Sequence, residues 1–221
     1  MSVRDGAIRS LKDTPATVFR TYRDTGSAQV VEGSATEYFI GSIASDDVVY
    51  AAFATEIFPD QDYRRRYFVG RDGAYVPQSD TANLTGTYVA TLETRTTTDV
   101  WYFDYQVTAD IDLTVDFDAA TIAGETSNTA RFFDIATVAN PWIDLKFEAT
   151  AINGDGTFNA QITGINSTAF PTPTPFTTTE GMQGVLGGEA STHAAGWVDL
   201  RHTFGTSDTQ YRERGAFVAS N

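Results

Sequence analysis

Between Trp101 and Phe117 the chain alternates with a period of two. Trp101, Phe103, Tyr105, Val107, Ala109, Ile111, Leu113, Val115 and Phe117 fall on one parity. Asp104, Gln106, Thr108, Asp110, Asp112, Thr114 and Asp116 fall on the other, and only Tyr102 departs from the pattern. Side chains of a strand project alternately to its two faces, so this run predicts a strand with one buried face and one wet face. A helix would mix the two sets.

The pattern recurs in Ile143, Leu145, Phe147, Ala149 and Ala151, interleaved with Asp144, Lys146, Glu148 and Thr150. It resumes in Phe158, Ala160 and Ile162 after Asn153-Gly154-Asp155-Gly156. That tetrapeptide tolerates positive φ, as a tight antiparallel hairpin requires, so strands are expected at about 143–152 and 156–165. A second turn is expected at Asp118-Ala119-Ala120, and shorter strand runs at Leu84 to Leu92, Met182 to Leu186, Gly196 to His202 and Arg214 to Ala219. About eight strands with short connections predict an all-β fold: an eight-stranded antiparallel barrel over 82–221 that closes its own edges. Phe103, Val107, Ile111, Leu113, Val115, Leu145 and Phe147 should line its interior, with Asp112 outside.

Residues 1–81 read as an N-terminal segment and a small sheet beside the barrel. Ala35 to Ile43 and Val48 to Thr55 are expected strands joined at Ser45-Asp46-Asp47, and Arg65 to Val69 a third, ending at Arg71-Asp72-Gly73. Val3 to Arg20 has weak helical spacing interrupted by Pro15 and is assigned no element. Phe170-Pro171-Thr172-Pro173-Thr174-Pro175-Phe176 favours extended, polyproline-like backbone on the surface. No repeat of fixed period is present, which disfavours solenoids and propellers.

Composition excludes several function classes. Twenty-nine acidic against 15 basic residues give a net charge of −14, which opposes chain-wide attraction to nucleic acid or anionic lipid. Without cysteine there are no disulfides, thiolate nucleophiles or cysteine metal sites. No run approaches the roughly 18 apolar residues of a membrane span, and the opening residues lack a hydrophobic leader. A surface or secreted location is therefore expected only if a leader has been removed.

No catalytic signature stands out. There is no G-x-S-x-G elbow, and Gly181-Met182-Gln183-Gly184-Val185-Leu186-Gly187-Gly188 lacks the lysine and helix of a phosphate loop. His193 and His202 match no zinc-helix spacing. Asp110, Asp112 and Asp116 share a strand face, and a strand cannot wrap them around an ion as a calcium loop does, so they read as a solvated outer face. Catalytic and metal residues are accordingly expected to be none, with no required cofactor. Asp62-Tyr63-Arg64-Arg65-Arg66-Tyr67-Phe68 is the local contrast to the acidic background. Its bland reading is a strand whose arginines pair with the chain's own carboxylates. Its functional reading is a ligand-binding site at Arg64, Arg65 and Tyr67, because Arg and Tyr are frequent interface anchors.

Leu84-Thr-Gly-Thr-Tyr-Val, Ile111-Asp-Leu-Thr-Val-Asp-Phe-Asp-Ala-Ala-Thr-Ile-Ala-Gly, Gly181-Met-Gln-Gly-Val-Leu-Gly-Gly-Glu-Ala, Ala195-Gly-Trp-Val and Arg214-Gly-Ala-Phe-Val-Ala resemble the β-barrel domain of transferrin-binding protein B and its solute-binding-protein-like relatives. The resemblance covers about 84–221. It implies an eight-stranded barrel with a handle sheet, and a surface lipoprotein or secreted protein that binds host proteins, iron carriers or haem. A transferrin receptor has two lobes where this chain has one barrel, so transferrin itself is not implied.

The expectation is thus a non-catalytic binding protein whose ligand is a macromolecule, a protein or glycan, or an iron-linked cofactor. Haem is the special case, with His193 and His202 as the imidazoles available to it. The alternative is a structural or adhesion subunit of a surface assembly or virus-like particle.

Overall fold

The computed structural model describes residues 29–32, 38–45, 48–57, 63–71, 73–95, 102–132, 140–167, 176–204 and 209–221. Val3 to Arg20, Asp46-Asp47, Trp101 and the Pro-Thr run before Phe176 lie outside them. The described residues form two antiparallel sheets. The smaller comprises β1 (Gln29–Glu32), β2 (Tyr38–Ser45), β3 (Val49–Ile57) and β4 (Tyr63–Arg71), paired in chain order. Three of these strands were legible in the sequence, and β1 was not.

The larger sheet comprises β5 (Thr81–Arg95), β6 (Tyr102–Asp116), β7 (Thr121–Phe132), β8 (Asn140–Pro141), β9 (Ile143–Ala151), β10 (Thr157–Gln161), β11 (Gly164–Ser167), β12 (Phe176–Gly187), β13 (His193–Phe204) and β14 (Gln210–Ser220). Its order is β10-β12-β13-β14-β5-β6-β7-β9-β11, with the short β8 on β7. β10 and β11 are one stave broken at Ile162-Thr163. They face β9 through the β9–β11 ladder, the Ile152–Phe158 bridge and a Thr163 N–H donated to the Lys146 carbonyl at 2.8 Å. Counted so, eight antiparallel staves make a nearly closed barrel, as expected.

The interior is the predicted one where its side chains are described. Val107, Ile111, Leu113, Val115, Leu145 and Phe147 are buried together with Leu84, Tyr88, Trp142, Phe158 and Phe217. Asp110 and Asp112 are exposed on the other face. The Phe103 side chain lies outside the described set, beyond a register shift that places Tyr105 opposite Leu92 and Phe103 opposite Glu93.

One part of the alternation does not hold. Ala149 and Ala151 share the parity of Phe147 but are exposed, while Ile152 is buried. The reason is a bulge: Gly124 faces Phe147 but Ile122 faces Thr150, so β9 carries one extra residue there. A one-residue slip exchanges the two faces of everything beyond it.

The two ends of the barrel differ. At one end the connections are tight: Phe117–Ala120 between β6 and β7, Ile152–Gly156 between β9 and β10, and Gly188–Thr192 between β12 and β13. Ala120 takes the left-handed turn position (φ 51°) and Gly156 that of the predicted hairpin (φ 80°). At the other end the staves stop at Arg95 and Tyr102, at Phe132 and Asn140, at Ser167 and Phe176, and at Phe204 and Gln210. A second apolar cluster joins the two sheets: Val49, Ala51 and Val69 of the small sheet pack on Val89, Val185, Ala195, Ala216 and Val218 of the barrel wall.

Candidate functional site

Arg64, Arg65 and Tyr67 lie in β4, at the edge of the small sheet, where they stand opposite Glu56, Thr55 and Phe53 of β3. Positions alternate along a strand. Arg65 and Tyr67 share the parity of Val69 and Arg71, which are buried against the barrel, whereas Arg64 and Arg66 have the other parity. The sequence cluster is therefore two sets of positions rather than one.

The far end of β4 is anchored. Arg71 is buried, and its Nη1 donates to the Leu186 carbonyl at 2.7 Å and the Asp155 carbonyl at 2.8 Å. Its stem crosses Gly187, where a Cβ would lie 2.7 Å from the Arg71 Cβ. Asp155 beside it accepts from the Thr157 hydroxyl and N–H, and these bonds, with a smaller share from the Arg71 charge, hold its carboxyl below the usual value. Carboxylate character is favoured by donors aimed at it.

Between the sheets, β5, β13 and β14 turn charged residues toward the small sheet. Arg212 binds Asp199 through two bonds, Nε to Oδ1 at 3.0 Å and Nη2 to Oδ2 at 2.9 Å. Arg214 Nη1 meets Glu93 Oε1 at 2.7 Å, and its guanidinium lies 5.4 Å from the Phe53 ring centre of β3. Two arginines against two carboxylates balance in charge, which is the condition under which such groups stay buried. The quartet orients the small sheet on the barrel through Phe53.

Inside the barrel, toward the end away from the tight turns, sits a second polar group. Glu213 accepts from the Tyr88 hydroxyl at 2.6 Å and from the Trp142 indole N–H at 3.1 Å, and His202 Nε2 lies 3.6 Å from the same carboxylate. Glu213 and His202 have no exposure. The Trp142 ring centre lies 5.4 Å from that of Tyr211 and 4.6 Å from the Arg131 guanidinium. Burial first, and the Glu213 carboxylate second, push the Tyr88 phenol well above its usual value. Internal donors thus hold this carboxylate in the core, away from solvent.

His193 and His202 are not brought together. They lie nine residues apart on one strand, a separation of roughly 30 Å at 3.3 Å per residue, and have opposite parity. His202 faces the interior and His193 begins the strand at the tight-turn end. A haem held by both imidazoles does not fit this arrangement. Among the described residues no group of three His, Asp or Glu is placed to hold a metal ion.

No helix among the described residues is long and apolar enough to cross a membrane. The barrel's outer face carries exposed Asp110, Asp112, Glu125, Lys146 and Glu148, which is not the apolar belt of a membrane-spanning barrel.

Sequence reasoning missed Glu213, Tyr88, Trp142 and the Arg212–Asp199 pair. The available signal was Tyr211-Arg212-Glu213-Arg214, four polar or aromatic residues leading into an apolar strand run. No protein-family model matches the chain, and no curated protein matches it. Among solved structures it is similar to intact Ap-TbpB with its N and C lobes, at 10% identity and a TM-score of 0.43. The match covers 88% of this chain and 38% of that one. Similarity at this level assigns neither family nor ligand.

Proposed function

We propose that this chain is a non-catalytic binding protein of the cell surface or secreted space, which presents barrel connections and the small sheet to a macromolecular ligand. The observation that carries the reading is the filled interior of the barrel. Its interior is filled by Leu84, Tyr88, Ile111, Trp142, Phe147 and Phe217, all fully buried, so recognition falls to the outside. At one end the turns 117–120, 152–156 and 188–192 gather with the segment 73–80, which bonds to them through Asp80 to Phe117 and Val76 to Ser191. Recognition residues commonly sit on connections held by a rigid scaffold. The small sheet, whose β4 carries Arg64, Arg65 and Tyr67, packs on the barrel wall through Val49, Ala51 and Val69. Arginine and tyrosine on an acidic molecule suit an acidic protein or glycan, and the attraction should weaken as salt screens it.

The test is direct binding of the full chain to a glycan array and to a panel of extracellular proteins, with haem titration in parallel. A saturable ligand whose affinity falls at least tenfold in the Arg64→Ala chain supports the reading. Concentration-dependent growth into regular particles, with no saturable ligand, would replace it by a structural or adhesion subunit. A Soret shift lost in His202→Ala would make the ligand an iron-linked cofactor.

A further inference from the structure

Among the described residues β4 has a ladder on one side alone, with β3. A strand so placed carries a row of backbone N–H and C=O groups along its other side, which is a template for one more strand. This edge is nine residues long and contains no proline to remove a donor. It is also well supported. Arg71 ties its end to the barrel rim and Val69 is buried in the apolar cluster between the sheets, so the template rests on the barrel wall.

The edge has a chemical bias. Arg64-Arg65-Arg66 holds three of the chain's 15 basic residues, and the cross-strand register sets one carboxylate, Glu56, against them. From this placement we infer that β4 accepts an extended acidic segment of a partner protein as a fifth strand of the small sheet. The inference rests on the binding reading above and narrows it to one class of partner. Directly opposed residues of an antiparallel pair have Cβ atoms about 4.5–5.5 Å apart, so carboxylates at alternate positions of the incoming strand come opposite Arg64 and Arg66. Backbone bonds then supply attachment, and the charge supplies selection. The same charge discourages a second copy: antiparallel self-pairing centred on Arg65 would set Arg64 against Arg66. At physiological salt, charges beyond about 8 Å are largely screened, so the local arginines outweigh the net charge of −14.

The experiment follows backbone amide hydrogen exchange of the full chain on adding an eight-residue peptide of alternating Glu and Val. The comparison is the same peptide N-methylated at alternate backbone nitrogens. The expected result is at least tenfold slower exchange at β4 amides and at least tenfold weaker binding of the methylated peptide. The double substitution Arg64→Glu, Arg66→Glu should weaken binding tenfold or more while barrel amides keep their protection. Should that variant misfold, the methylated peptide still decides the matter on the unaltered chain. Unchanged exchange in β4, equal binding of both peptides, or dimers formed through β4 without peptide would overturn the inference. A saturable glycan or protein ligand that leaves β4 amides unaffected would also overturn it, while the binding-protein reading stands.

Discussion

Arg71 and Leu186 tie the two sheets together at the barrel rim. The guanidinium of the last β4 residue donates to the Leu186 carbonyl of β12 at 2.7 Å, and from the same nitrogen to Asp155 in the β9–β10 turn. A strand end, a turn and a barrel stave thus meet on one buried cation. Arg71→Met keeps the stem and removes the donors. Hydrogen bonds to charged groups contribute about 1.5–3 kcal/mol, and loss of that order should lower the midpoint of thermal unfolding by several degrees. Amide exchange should accelerate first in β4 and in the 152–156 turn, and a uniform acceleration across the barrel would contradict this assignment.

Leu113 and Asp112 are adjacent but belong to different environments, one 1% exposed in the barrel core and the other on the wet face. Leu113→Asp buries a carboxylate with no prepared partner and should abolish cooperative folding. Asp112→Asn should stay within about 0.5 kcal/mol of the parent, as surface substitutions commonly do. Urea unfolding followed by circular dichroism distinguishes the two, and equal destabilisation would mean that the strand's facing is misassigned.

Glu213 accepts from both Tyr88 and Trp142. Glu213→Ala strands these donors in the core and opens a cavity, with an expected cost of about 3–5 kcal/mol. Glu213→Gln should cost less, because the Tyr88 hydroxyl can rotate to accept from the new amide. Denaturant midpoints order the three proteins, and the Trp142 environment reports on them through fluorescence.

Tyr88 gives the fold an alkaline limit. Its phenol is raised above 10 in the folded state, by burial first and by Glu213 second, so the folded chain holds a proton that the unfolded chain releases. Stability from this group is complete below the unfolded value of about 10 and declines as pH rises toward the folded value. Unfolding free energy should therefore fall above pH 10, and Tyr88→Phe should flatten that decline while losing the bond to Glu213. Of the chain's 10 tyrosines, Tyr88 should ionise only with unfolding, seen as phenolate absorbance that follows the loss of strand signal.

Gly86 sits where β5 crosses β14: a Cβ there would collide with the Val218 backbone carbonyl and the Ala219 Cα. The obstacle is backbone, so no side chain can move aside. Gly86→Ala should destabilise by more than about 2 kcal/mol, in the range of overpacking. Gly154→Ala, at a turn position with nothing within 4 Å, should be close to neutral. Thermal midpoints of the two variants make the comparison.

The alternation from Val107 to Phe117, the Asn-Gly-Asp-Gly hairpin and the approximate count of strands were determined by the sequence, because each rests on local physics. Strand period, turn conformation and the partition of apolar from polar side chains act over a few residues. The limits of that reasoning appear at Ala149, where one extra residue exchanged the faces. They appear again in β5, β13 and β14, where alternation is replaced by burial on both sides. Arg212, Glu213 and Arg214 read as surface charges in isolation, yet they are among the most buried residues of the chain. Whether a charged residue can leave water depends on which opposite charge or donor waits for it. For Glu213 these are Tyr88, 125 residues earlier, and Trp142, 71 residues earlier. Likewise Arg71 finds Leu186 across 115 residues. The edge position of β4 has the same origin, since its arginines are visible in the sequence but its place at the end of a sheet is not. Only the tertiary structure decides such pairings, because contacts between distant positions follow from how the sheets close and dock.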